Sequence, residues 1–280
     1  KKYFETISEK KNIKILEATK SNNKKLLELF ILNVLRVFFF FDWLKGNWNT
    51  IFFYCLFEWI SSVNTFHDAA HFSLFSNQNI NNILAFTSPQ FSSPITWYHQ
   101  HNLGHHSYTN LEKSDPDLYH MSSVCRKSLD KEFNFIYKYQ YLTVILEWFL
   151  SFIGLTLLST IDILKKKILY KVILVNLTKK ETFYFLLERL IYVLICFIYP
   201  FLVFPFTKAM FFVLLPKISF SFLFMLNSQI THIHTHCMIQ DNDWYAHQVR
   251  TATNHGMGKW FNFIFSGGLN YQIEHHLFPN

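Results

Sequence analysis

Five apolar blocks constrain this chain more than any other feature: residues 26–44, 49–66, 141–163, 182–206 and 209–230. Each is close to the roughly 20 residues that a helix needs to cross the hydrocarbon of a bilayer. Basic and polar stretches separate the blocks, and only 16% of the residues are charged. Soluble domains carry about a quarter. The pattern excludes an ordinary soluble domain and predicts an all-α, multi-span membrane protein.

The net charge of +7 sits beside the apolar blocks, so its natural partner is an anionic membrane surface and not nucleic acid. Cys55, Cys125, Cys196 and Cys237 are scattered without CxxC spacing, which argues against a disulfide frame or a thiolate metal site. The 33 phenylalanines against 7 glycines fit a base-composition bias and carry little functional message.

Residues 1–25 are basic and polar, with no secretory core, and read as a cytosolic segment ahead of a single domain, residues 26–280. The first residue is Lys1 and the chain stops four residues after a histidine pair, so both ends are expected to be cut. The first two blocks form a helical hairpin turning at Lys45, Gly46 and Asn47. Arg36 and Glu58 lie inside it and are costly in lipid unless they face protein; pairing with each other is one solution. Residues 77–97, with Pro89 and Pro94, suit an interfacial segment.

Histidines gather in three places. HDAAH sets His67 and His71 at i and i+4, HNLGHH sets His101 and His105 likewise with His106 beside them, and QIEHH sets Gln272, His275 and His276 on one helical face. A lone HxxxH pair is weak evidence, but core packing does not explain three such groups at the ends of apolar segments. His232, His234 and His236 alternate after the last block; His232 lies nearest the membrane and is the candidate ligand, the other two surface residues. His99 is off the spacing, and His120, His247 and His255 read as loop or surface residues. Asp68 and Asn102 could hydrogen-bond ligand imidazoles, whereas Asp115 and Asp117 read as turn or cap residues. Four ligands satisfy one zinc ion, so about eight suit two ions. Imidazole accepts zinc, copper or iron, but zinc has no redox chemistry. The apolar setting fits a long hydrocarbon substrate.

If the three groups serve one centre, they share one membrane face, and an even number of crossings connects them. Three blocks separate the second group from the third, so one does not cross. Residues 141–163, with Glu147, Trp148 and Asp162 and followed by Lys165 to Lys167, are the best choice. The expected fold is four transmembrane helices with a cytosolic helical cap holding a histidine-rich di-metal site. Lysines in 1–25 and 165–180 place both termini and the histidines in the cytosol.

HDAAH, WYHQHNLGHHSYTN, DWYAHQVRTATN and SGGLNYQIEHHLFP together resemble the membrane-bound fatty acid desaturases over His67 to Pro279. The glutamine that opens the last group resembles the front-end subgroup, which includes delta-5, delta-6 and sphingolipid delta-8 desaturases. The resemblance implies four spans in the endoplasmic reticulum membrane and an active site facing the cytosol. It also implies two iron ions that use dioxygen and two electrons from cytochrome b5, with its reductase, to put a double bond into an acyl chain. Carried over position by position, the iron ligands are His67, His71, His101, His105, His106, His232, Gln272, His275 and His276, with Gln272 binding either directly or through a water. Two departures stand out. No histidine is followed by proline, so the HPGG haem motif of a fused cytochrome b5 domain is missing, and the family continues past HHLFP. A sphingoid-base desaturase and a fatty acyl hydroxylase of the same diiron type share the pattern. A zinc-dependent membrane hydrolase is the rival of another class. A metal transporter ranks last, because the groups sit at one surface. Arg250 and the lysines face either an acidic electron donor or solvent.

Overall fold

The computed structural model describes residues 2–88, 92–119, 124–127, 131–170, 172–238 and 241–279; Pro89 and His120 lie outside them. Its elements are helical apart from a two-stranded antiparallel hairpin, β1 (Ile168–Leu169) with β2 (Ile173–Leu174). A surface helix, α1 (Lys2–Lys11), precedes α2 (Asn23–Leu44), whose start is capped by the Asn22 side chain accepting from the Lys25 amide. The next helix, α3 (Ile51–Ser61), runs antiparallel to α2. Phe39 stacks on both Phe53 and Phe57, with centroids 5.4 and 5.2 Å away. Nearer the other end, Asn33 donates to Thr65 Oγ1 at 2.8 Å. The chain continues from α3 through a π-helical turn, Ser62–Phe66, in which the His67 amide bonds to Ser62 O, and on into His67–Ala70. The interfacial region holds α4 (Gln78–Ala85) and α5 (Pro94–Trp97).

The expected Arg36–Glu58 pair does not form among the described residues. Both are buried, but Arg36 Nη1 donates to Ser88 Oγ at 2.6 Å, and Ser62 Oγ lies 3.5 Å from Glu58 Oε1. Arg36 finds a closer partner in the loop that follows α4.

Among the described residues, three helices are long and apolar enough to cross a membrane: α6 (Phe135–Lys166), α7 (Lys179–Val203) and α8 (Phe206–His232). Thr178 and Glu181 form a capping box that starts α7. Pro216, inside α8, cannot donate to Phe212 O one turn back; the Trp43 indole donates to that carbonyl instead, at 2.9 Å. Lys217 is only 2% exposed. Its ammonium donates to Cys196 O at 3.0 Å and Val213 O at 3.3 Å and lies 4.0 Å from the Phe197 ring centre. Carbonyls and a ring thus replace water around a charge within the span.

The two short turns after α2 and α7 meet at one end of the bundle. A β-carbon at Gly46, where φ is +71°, would come within 2.7 Å of Phe204 Cε1. The Trp48 ring centre is 4.8 Å from that of Phe211. The opposite ends of α3 and α8 carry His67 and His232.

Composition would let α6 cross, and its contacts reach the histidine region at more than one point. It lies antiparallel to α8: the Trp148 indole donates to Gln229 Oε1 at 2.7 Å, and Ser151 Oγ is 2.6 Å from Ser221 Oγ. Beside Trp148, Glu147 pairs with Lys127. Ile163, near its end, packs with Leu169, Val175 and Phe185, with Ile95 against them. β2 then returns to the second histidine segment, where a β-carbon on Gly104 would lie 3.1 Å from Ile173. A π-helical stretch, Ile153–Leu158, interrupts α6 between these contacts.

Candidate metal centre

Each histidine segment is placed by a local device. After α5 the chain forms a π-helix, Tyr98–His105, and the His106 amide bonds to His101 O five residues back. In a regular α-helix His105 and His106 would point about 100° apart. The wider π coil brings both beside His101, and all three are buried. His247 lies on α9 (Trp244–Arg250), and α10 (Trp260–Ser266) docks the last segment on α3. The Trp59 indole donates to Phe265 O at 2.9 Å, and Asn64 Nδ2 donates to Ile264 O at 2.6 Å. Gly267, with φ of +67°, lets the backbones touch: a β-carbon there would fall 2.5 Å from Val63 O. The chain then enters α11 (Gln272–Leu277), which carries His275 and His276.

The nine candidate ligands come together. His67, His71, His101 and His275 form one group and His105, His232 and His276 a second, each with ligand atoms within 4.8 Å of one another. His106 lies between them: its Nε2 is 3.1 Å from His101 Nε2, and its ring stacks on His276 at 4.3 Å. Gln272 Nε2 is 2.8 Å from His232 Nε2. His99, His234, His236 and His255 join neither group; His234 Nε2 turns to Ile230 O and His236 Nε2 to Thr253 Oγ1.

The arrangement fits metal ions. His67 Nε2, His71 Nε2, His275 Nε2, His106 Nδ1 and Gln272 Oε1 are buried without a hydrogen-bond partner among the described residues. In the second group, Nε2 of His232 lies 3.3 Å from that of His105 and 3.1 Å from that of His276. Two nitrogens sharing one ion at about 2.1 Å sit roughly 3.0–3.4 Å apart. Burial, reinforced by neighbouring imidazoles, holds His71, His101, His106, His275 and His276 well below the usual histidine range, which leaves them neutral with free lone pairs. His105 differs. Burial pulls it down as well, but the Asp115 and Asp117 carboxylates outweigh that and raise it to about 9.

Hydrogen bonds fix the ring orientations of the second group. His105 Nδ1 donates to Asp115 Oδ2 at 3.1 Å, His232 Nδ1 to Thr251 O at 2.9 Å, and His276 Nδ1 to Gln248 Oε1 at 2.8 Å. Sequence reasoning took Asp115 for a turn residue only. It does accept the Asn110 and Asp117 amides, but it also holds His105. Gln248 was missed, although it sits within the DWYAHQVRTATN segment. His247, expected at the surface, is buried: its Nε2 donates at 2.7 Å to Thr109 O, a carbonyl at the end of His106–Tyr108. Asp68 and Asn102 stand farther off, Asp68 Oδ1 at 3.5 Å from His67 Nδ1 and Asn102 Nδ2 at 3.4 Å from His71 Nδ1.

Beside both groups lies a cavity of ≈ 50 Å³. His67, His101, His105, His232 and Gln272 line one side; Trp97, Leu118, Phe224, Met225 and Leu269 give it apolar walls. Histidines that could hold metal therefore border a small cavity with apolar walls.

No solved structure matches the chain. Among curated proteins, it is 26% identical over 243 residues to "Probable Delta(5) fatty acid desaturase C" of Dictyostelium discoideum, covering 81% of this chain and 53% of the relative. It is 29% identical over 234 residues to "Acyl-lipid (8-3)-desaturase" of Mortierella alpina, covering 78% and 51%. It is 26% identical over 278 residues to "Delta 8-(E)-sphingolipid desaturase" of Komagataella phaffii, covering 91% and 49%. The chain spans about half the length of these relatives. The sequence model described as "Fatty acid desaturase" matches residues 42–280, which includes every candidate ligand. With that match over most of its length, this multi-pass membrane chain belongs to the fatty acid desaturase family.

Proposed function

We propose that the chain is the desaturase domain, residues 26–280, of a front-end acyl-lipid desaturase of the endoplasmic reticulum. It places a double bond in a fatty acyl chain, using dioxygen and electrons from cytochrome b5. The observation that carries this reading is the pair of adjacent, buried imidazole groups bordering an apolar cavity at one end of a helical bundle. The relatives' names, which include delta-5, (8-3) and delta-8 desaturases, support the front-end assignment.

In this reading, His67, His71, His101, His105, His106, His232, Gln272, His275 and His276 hold two iron ions. Bound there, the iron pair supplies the activation of dioxygen that carbon–hydrogen cleavage requires. The rest falls to the protein. The imidazoles that burial keeps neutral offer their lone pairs, Asp115 accepts the His105 Nδ1 proton, and Trp97, Phe224 and Leu269 give the cavity apolar walls that disfavour water. Four helices cross the bilayer in this proposal: α2, α3 with its π-helical extension, α7 and α8. The contacts of α6 with the histidine region at more than one point support leaving it uncrossed, and the lysine-rich segments support a cytosolic site.

Full-length protein expressed in yeast with supplied fatty acids should yield lipids with new double bonds, and the purified protein about two irons per chain. An alcohol product would favour the hydroxylase, and one zinc without iron the hydrolase. For the topology, cysteines placed by Asn47→Cys and Thr178→Cys should react with impermeant reagents added from opposite sides; labelling from the same side would refute it.

A further inference from the structure

The cavity beside the histidines has a chemically mixed lining. Trp97, Phe224 and Leu269 bring apolar groups to it; Ser228, Gln229 and Lys127 bring polar ones. Gln229 is the telling residue. It lies on α8 three residues before His232, so both project from one face about a turn apart. It is 9% exposed.

The neighbouring indole fixes the orientation of its amide. Trp148 Nε1 can only donate, and it lies 2.7 Å from Gln229 Oε1. The amide oxygen therefore faces Trp148, and the NH2 group points elsewhere. That Nε2 is buried and has no hydrogen-bond partner among the described residues. A glutamine serving only to brace Trp148 would leave a buried donor unpaired at a free-energy cost, and natural structures seldom retain such groups. Gln229 lies one turn from a candidate iron ligand and is among the residues lining the cavity beside it.

We propose that Gln229 donates a hydrogen bond to the carbonyl oxygen of the acyl ester, thioester or amide. This rests on the desaturase reading and deepens it. With the carbonyl held on Gln229, the adjoining carbons of the alkyl chain lie in the cavity that His232, His105, His67 and Trp97 also line. The carbon that reaches the reactive position is then counted from the carboxyl end, whatever the chain length.

The test compares binding with product position. The full-length protein in lipid nanodiscs is titrated with methyl stearate and with stearyl methyl ether, which has the same length but no carbonyl, and thermal unfolding is followed. Wild type should be stabilised more by the ester, and Gln229→Met should respond equally to both. Trp148→Phe, which removes the brace but keeps the donor, should retain the ester preference. An ester preference that survives in Gln229→Met, or is absent from wild type, would overturn the proposal. In yeast fed acids of three chain lengths, wild type should place the double bond at a constant distance from the carboxyl, and Gln229→Met should scatter it over neighbouring carbons by at least a few-fold. A bond counted from the methyl end in wild type would also overturn it. If no new double bond forms at all, the desaturase reading fails, while the ester-versus-ether comparison still decides whether Gln229 binds a carbonyl.

Discussion

The two imidazole groups are held in different ways. In the second, all three Nδ1 atoms bond to fixed acceptors: a buried carboxylate, a backbone carbonyl and a buried amide. In the first, Asp68 and Asn102 approach His67 and His71 only at 3.4–3.5 Å, and three Nε2 atoms are orphaned. Its rings are placed mainly by backbone and packing: the π-turn before His67, Trp97 stacked on His101 at 4.3 Å, and the docking of α10 on α3. A hydrogen-bonded ring has its tautomer and angle set before metal arrives; a packed ring settles when metal binds. The second group should therefore depend on its polar neighbours, and the first on its own ligands and its backbone.

The strongest challenge to this contrast is removal of a ligand from each group. His275→Ala and His105→Ala should each abolish product, a loss above about 100-fold, and lower the iron content while the protein stays in the membrane. Full activity in either would remove that residue from the site. Asp115→Asn should come next. It loses the charge that keeps the proton on His105 Nδ1, and iron affinity at the second group should fall by about 10–100-fold. Metal titration of the purified protein should then show one tight and one weak site. Gln248→Ala should weaken the same site by roughly 10-fold, because His276 keeps a longer contact from Nδ1 to Thr109 Oγ1 at 3.2 Å. The smallest effect belongs to Asp68→Asn, within about 3-fold, since an exposed or distant charge contributes little. If Asp68→Asn matched Asp115→Asn in iron binding, the distinction between the groups would collapse.

Much of the centre was legible beforehand. HDAAH, HNLGHH and QIEHH announce themselves by spacing, and His232 follows from its place at the membrane end of an apolar block. What stayed hidden was contributed by residues with no spacing of their own. Asp115 looks like a turn residue because it is one; its second task depends on His105 lying against it. Gln248 and His247 sit on one short helix, yet they serve His276 and Thr109 from segments far away in sequence. The wish to pair Arg36 with Glu58 failed because the loop carrying Ser88 could not be foreseen to pass beside α2. Gln229 reads as one more polar residue in an apolar span until Trp148 shows which way its amide faces.

Sequence alone determined that the chain is helical and membrane-embedded, and which residue types could grip metal. Those conclusions follow from local quantities: the length of apolar runs, the helical repeat, and the donor atoms of imidazole and amide. Only the tertiary structure decided which rings share a group and which neighbours hold them. These depend on where distant backbones touch, and π-turns and a glycine contact at Gly267 set that by a few ångströms that no local pattern encodes.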